Sequence, residues 1–393
     1  MPKYVADYDS IPIDFVRGEG AYLIDKKGKR YLDFLAGWCV GTVGWANKEM
    51  AAAIAARAKV GTYVPPIFRD PHQDALAKRL IQEAPGKLSR VFRCTSGSEA
   101  VEFAIKCARA TTKKNVIVTI EGVYHGHTMG AGHAGDAGGK TGFKPALPEF
   151  LKLPLPTSAA EGQRVIAQFE ALLKSRRDIA AFMSEPFWTN AGCYTPPDGF
   201  YKQIEKLCRA YGILLIMDEV ATGCGRVGSF YASALQDIQP DMICLAKSFT
   251  GGYATMGATL VTEAVFRKSW GIPDYSTFGW LQQDLAATQK NIELILRDGL
   301  AQNAKEVGAY LLDQLQPLTG LAKVKRLNGF GMVFGVEFRL PIAALIAARC
   351  YRNGLLVALA DAKTLFFSPM LSLTKDEARI GAEILLRVCG ARK

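Results

Sequence analysis

Four short apolar runs constrain this chain most: VIVTI (116–120), AAFMSE (180–185), LLIMDEV (214–220) and MICLAK (242–247). Each is continuous and does not alternate with polar residues, the pattern of strands buried on both faces. Stretches of helical character lie between them, such as Gly199–Tyr211. The segment SEAVEFAIKCARA (98–110) is another predicted helix. Apolar residues recur in it at 101, 104, 105 and 108, and Ser98 stands in the N-cap position. Buried strands alternating with helices predict an α/β lobe built on a mostly parallel sheet.

At 393 residues the chain exceeds one typical domain and is read as two lobes. Near the start, Gly20–Asp25 and Arg30–Phe34 flank the turn Lys26-Lys27-Gly28-Lys29, a hairpin. Beyond about residue 285, a long helical segment leads to GMVFGVEFRL (331–340) and GLLVALA (354–360), read as strands of a smaller α+β lobe. The expected division is 1–46 as an N-terminal part of the small lobe, 47–284 as the large domain, and 285–393 as the C-terminal small domain.

Composition excludes several classes. Hydrophobic residues make up 49% and charged residues 22%, the balance of a globular enzyme with a large core. A net charge of +11 favours anionic ligands. Lys and Arg are nevertheless spread out, with only short clusters such as Lys323-Val324-Lys325-Arg326, which argues against nucleic acid. The nine cysteines form no C-x-x-C pair and read as reduced, mostly buried thiols of a cytoplasmic protein. His72, His125, His127 and His133 have no carboxylate at a common zinc spacing, so no metal site is expected. The opening MPKYVADYDS lacks a signal-peptide pattern, and no apolar run reaches membrane-spanning length.

In open α/β sheets, ligands sit beyond the carboxyl ends of the strands. Glu185, Asp218 with Glu219, and Lys247 all occupy such positions. Three loops compete as phosphate sites. Gly223, Gly225 and Gly228 spell G-x-G-x-x-G after a strand, the dinucleotide fingerprint. Two acids precede that loop, Arg226 interrupts it, and the sequence after it is a poor helix, so a turn is the better reading. GDAGGKT (135–141) is one residue short of a Walker-type loop and follows no strand. CTSGSEA (94–100) joins a strand end to a helix start, where free N–H groups and the helix dipole favour a phosphate. A plain capping turn fits those residues equally well.

Lys247 ends an apolar strand, where a buried ammonium is costly and an amine condensed with a carbonyl is not. Lysine forms Schiff bases with pyridoxal 5'-phosphate (PLP). A lone strand-end lysine would more simply reach solvent. The set is more telling, because PLP also needs an acid beside its ring nitrogen and a phosphate cradle. Asp218 and Ser96-Gly97-Ser98 stand at other sheet ends, and Tyr124, after VIVTI, offers an aromatic cover for the ring.

Six pieces in order, SGSEAVEFAIKCAR, YHGHT, SEPFWTNAG, LLIMDEVATGCGRVG, DMICLAKSFTGG and STFGW, resemble the class III (ω-type) PLP-dependent aminotransferases of fold-type I. The spacing of 29 residues from Asp218 to Lys247 suits that family. The resemblance covers nearly the whole chain. It implies a seven-stranded, mostly parallel sheet flanked by helices in the large lobe. It also implies a homodimer with shared active sites, and transfer of an amino group from an amino donor to a carbonyl acceptor by a ping-pong aldimine/ketimine mechanism. Carried over by residue, Ser96, Gly97 and Ser98 would hold the phosphate. Tyr124 would stack on the ring with His125 beside it, and Val220 would pack on the other face. Glu185 would help position the cofactor region, and Asp218 would pair with the pyridine nitrogen. Lys247 would form the imine and act as base, and Thr277 would reach the phosphate of the neighbouring subunit.

Three departures bear on the substrate. Ala221 stands where the family often has Gln; Asn190 could supply that hydrogen bond, as in the glutamate-1-semialdehyde aminomutase branch. LQQDLAA (281–287) follows STFGW where many members have G-N-P. In TLFFSPMLSLT (364–374), Phe366 takes the place of an Arg that clamps a substrate carboxylate in many members, and Phe cannot make that pair. An aminomutase, racemase or decarboxylase on the same scaffold is the alternative.

Overall fold

The computed structural model describes residues 11, 13–61, 63–65, 67–136, 147–272 and 276–391. Most of the glycine-rich stretch 135–141 therefore lies outside the described residues.

The central element is a seven-stranded sheet. Its order is Leu88–Cys94, Gly257–Thr262, Met242–Leu245, Leu214–Asp218, Ile179–Ser184, Val116–Ile120 and Phe150–Leu153. Neighbours pair in parallel except Gly257–Thr262, which is antiparallel to both strands beside it. The four apolar runs are the middle of this sheet. Ile179–Ser184 is buried at every position, as the absence of alternation requires.

The helix read as beginning with a Ser98 cap starts instead at Gly97 and runs to Thr112. Ser96 is the N-cap: its backbone is extended, and its Oγ accepts from the Glu99 amide at 3.2 Å. The Glu99 carboxylate reaches back to the Thr95 amide and hydroxyl. Ser98 is thereby released from capping, and its Oγ accepts from the His127 amide at 3.3 Å.

Two smaller sheets complete the molecule. Phe15–Glu19, Tyr22–Asp25 and Arg30–Asp33 form an antiparallel ribbon that includes the expected hairpin, and Leu355–Leu356 adds to it in parallel. Val324–Phe330, Val333–Phe338, Thr364–Phe367 and Ala358–Leu359 form the other. The run GLLVALA, read as one strand, is thus split, with Leu355–Leu356 in one sheet and Ala358–Leu359 in the other. Two helices, Gln282–Arg297 and Leu300–Gln314, occupy the long helical segment, and Gly299 between them has φ +61°. All nine cysteines are buried, and none is in a disulfide. Among the described residues, no helix is long and apolar enough to cross a membrane.

Candidate active site

The carboxyl ends of the parallel strands meet over one cavity of about 320 Å³. Its walls include Ser96, Gly97, Ser98, Tyr124, His125, Glu185, Asp218, Val220 and Lys247, nearly all the residues read from the sequence. The topology accounts for this. Asp218 is the last residue of its strand, Glu185 directly follows Ser184, and Lys247 stands two residues past Leu245.

Asp218 lies at the bottom, 2% exposed. Its Oδ2 is 2.6 Å from His125 Nδ1, and its Oδ1 accepts from the Val220 amide at 3.0 Å. His125 is buried as well, and its Nε2 has no hydrogen-bond partner. Glu185 is 1% exposed, and burial pushes its carboxyl above the ordinary range. Oε1 accepts from the Tyr124 amide at 3.4 Å; Oε2 accepts from the Thr189 amide at 3.0 Å and from the Thr189 hydroxyl. It therefore ties the Tyr124 loop to the segment after its own strand. Glu219, the second acid of the pair, faces away from the cavity. It accepts from the amides of Ala232 and Ser233 and the Ser233 hydroxyl, with its carboxyl pushed up to about 7 by burial.

The same cavity is lined by the first turn of the helix Gly97–Thr112, whose leading amides have no intrahelical acceptor. The backbone there packs closely. A Cβ on Gly97 would come 2.9 Å from Val220 Cγ1, and one on Gly257 would come 2.5 Å from the Ser96 carbonyl oxygen. Lys247 is half-buried and opens a short 3-10 turn, Lys247–Phe249. Its φ is +52°, a left-handed conformation that a non-glycine residue holds only when its surroundings enforce it.

Three expected residues are not at the cavity wall. Asn190 is half-buried and donates to Thr189 Oγ1 at 3.1 Å. Thr277 is exposed, outside the cavity of its own chain. Phe366, 3% exposed, packs in an apolar cluster with Cys39, Cys193, Ala221, Val333 and Ala358. Gly126, His127 and Thr128 also line the cavity and carried no role in the sequence reading. Their signal was their place in the loop directly after VIVTI. His127 Nδ1 lies 3.1 Å from the Tyr124 hydroxyl.

The donor set fits PLP. Free helix-terminal amides suit a phosphate, a buried carboxylate suits a protonated ring nitrogen, and a lysine stands between them. A family model for "Aminotransferase class-III" matches residues 4–389. An amine transaminase from an uncultivated Pseudomonas species, solved in the PLP-bound (internal aldimine) form, superposes with a TM-score of 0.93 at 29% identity, over 99% of this chain and 97% of that one. The omega transaminase of Pseudomonas jessenii in complex with PMP gives 0.91 at 26%, over 96% and 92%. A Bacillus anthracis aminotransferase gives 0.90 at 26%, over 98% and 96%. These relatives favour transamination over isomerisation, racemisation or decarboxylation. Family, fold and cavity agree: the chain belongs to the class-III aminotransferases, PLP-dependent enzymes of fold-type I.

Proposed function

We propose that this enzyme moves an amino group from an amine carrying an apolar substituent to a carbonyl acceptor, with Lys247 as the covalent attachment point and proton carrier. The observation that carries the substrate class is the cavity wall at Ala221. Behind it lies the apolar cluster containing Phe366, and among the described residues lining the cavity Lys247 is the sole Lys or Arg. Cys39 and Cys193 in that cluster are kept as neutral thiols, because burial pushes both upward. A substrate carboxylate would find no bidentate cation on this wall. The Pseudomonas relative is an amine transaminase, which supports the same class.

When bound, PLP supplies the electron sink that makes a proton on the substrate carbon removable. In this reading, the amides of Gly97 and Ser98 would hold its phosphate, with Ser96 capping the same turn. Asp218, kept in place by His125 Nδ1 and the Val220 amide, would accept from the ring nitrogen. Tyr124 and Val220 would pack against the ring, and Glu185 fixes the loop that carries Tyr124. The Lys247 amine would carry the proton. Asn190 orients Thr189 beside Glu185 rather than facing the cavity.

Thr277 is exposed, as a residue serving the phosphate of a partner subunit would be, which supports a homodimer with shared sites. The pairing of Arg30–Asp33 with Leu355–Leu356 supports grouping 1–46 with 285–393 beside a large domain of 47–284. Nine buried cysteines outside any disulfide suit a cytoplasmic setting.

The test is a half-reaction screen on yellow holoenzyme without acceptor. Apolar amines lacking a carboxylate should discharge the colour, and glutamate should not. Discharge by glutamate alone would refute the substrate class. Turnover of one substrate to an isomer with no acceptor would move the activity to an aminomutase.

A further inference from the structure

Arg226 interrupts the glycine turn after Asp218-Glu219 and does not line the cavity. Its side chain is 0% exposed, and among the described residues it forms no ion pair. Burial pushes its pKa down to about 10, so it remains a cation at neutral pH. A buried cation without a carboxylate is expensive unless every N–H is satisfied.

Each of the three side-chain nitrogens of Arg226 finds an oxygen, drawn from three distant parts of the chain. Nη1 donates to the Pro369 carbonyl and Nη2 to the Gly41 carbonyl. Nη2 also donates to Ser248 Oγ at 3.1 Å, with Nε 3.4 Å from the same oxygen. The Ser248 hydroxyl in turn donates to the Cys39 carbonyl at 2.7 Å. Ser248 is the residue directly after Lys247. From the other side, Asn291 Nδ2 donates to the carbonyls of Ser248 at 2.8 Å and Phe249 at 3.1 Å.

These bonds close on the turn that forces Lys247 to φ +52°. A left-handed lysine persists only where neighbouring bonds over-determine it, and the φ at Lys247 sets the direction its side chain leaves the backbone. We propose that Arg226 is a positioning residue for Lys247, acting through Ser248. It holds the lysine turn against the Cys39–Gly41 and Pro369 segments so that the amine is presented to the cavity. The geometry demands arginine. Lysine would keep the charge but could not serve Pro369, Gly41 and Ser248 from one rigid fork.

This inference rests on Lys247 being the residue that holds the cofactor, and the experiment separates the two claims. Apoenzyme is mixed with PLP, quenched with borohydride at intervals, and digested, and the modified Lys247 peptide is quantified. Wild type, Arg226→Lys, Ser248→Ala and the double variant are compared, with thermal melts recorded for each. Ser248→Ala leaves the Arg226 bonds to Gly41 and Pro369 in place, which keeps the test informative if Arg226→Lys folds poorly. The expected result is a rate of Lys247 modification lowered roughly tenfold or more in both single variants, with kcat falling while KM for the amine holds. The double variant should be no slower than the slower single, because both act through one contact. Unchanged modification rates alongside lowered melting temperatures would reduce Arg226 to a structural staple and overturn the inference. Independent, multiplying losses would overturn it as well. Failure of wild type to be modified at Lys247 would instead sink the cofactor assignment beneath it.

Discussion

Replacing Gly97 by Ala adds one methyl group where the helix Gly97–Thr112 meets Val220. The new Cβ would stand 2.9 Å from Val220 Cγ1, 3.2 Å from Cγ2 and 3.4 Å from Ala246 Cβ. Carbon atoms settle at about 3.5 Å or more, so the tightest contact falls short by roughly 0.6 Å. Either Val220 or the first helical turn must move, and overpacking of this kind costs about 1–3 kcal/mol. One opposing effect is smaller: Ala restricts the unfolded chain more than Gly, which is also why it favours the helix, worth up to about 1 kcal/mol. The fold should therefore survive and the strain should fall on the cavity. If the cost appears in cofactor binding, PLP affinity drops about 5- to 150-fold. Equilibrium titration of apoenzyme with PLP, followed by visible absorbance, measures it. Val220→Ala removes both clashing methyls, so Gly97→Ala/Val220→Ala should lose less affinity than the two single losses summed. Wild-type PLP affinity in Gly97→Ala would refute the idea that close packing of Gly97 on Val220 shapes the site.

Asp218→Asn keeps the shape but removes the charge proposed to face the ring nitrogen. PLP should still bind, while kcat falls by roughly 10²-fold or more, measured in steady-state assays against an apolar amine. Phe366→Arg should not create a carboxylate clamp. An unpaired guanidinium in that apolar cluster should lower stability by several kcal/mol, seen as a large drop in melting temperature with no gain of glutamate turnover. For Glu219 the folded carboxyl is raised from 4.5 to about 7. The folded state therefore binds more protons between those values, and this group's contribution is full below its unfolded pKa and fades as pH rises towards 7. Denaturant titrations across that range should show wild type losing stability with rising pH relative to Glu219→Gln, by on the order of 3 kcal/mol. A parallel pH dependence in both proteins would count against the buried carboxyl.

Much of the large lobe was legible because its inner strands carry their environment in their composition. VIVTI and LLIMD are buried on both sides and read as such without partners. Phe150–Leu153 was not legible: FLKL lies at the sheet edge, is mostly half-buried, and has only four residues. Gly257–Thr262 was hidden by its small residues, which suit the close approach to Ser96 more than they advertise a strand. At the cavity, the places of Asp218 and Lys247 in its wall were readable from their positions at strand ends. Asn190 was not, because whether a loop amide turns towards a cavity or towards Thr189 depends on the whole loop. The Arg226 contacts could not be read at all, since Gly41 and Pro369 lie 185 and 143 residues away from it. Only the folded chain brings them together.

The most direct test of the central claim is borohydride reduction of the purified holoenzyme followed by peptide mass mapping. One added PLP-derived mass on the peptide containing Lys247, absent in Lys247→Ala, is the predicted result. A colourless protein with no such mass, or the label on a different lysine, would contradict the account.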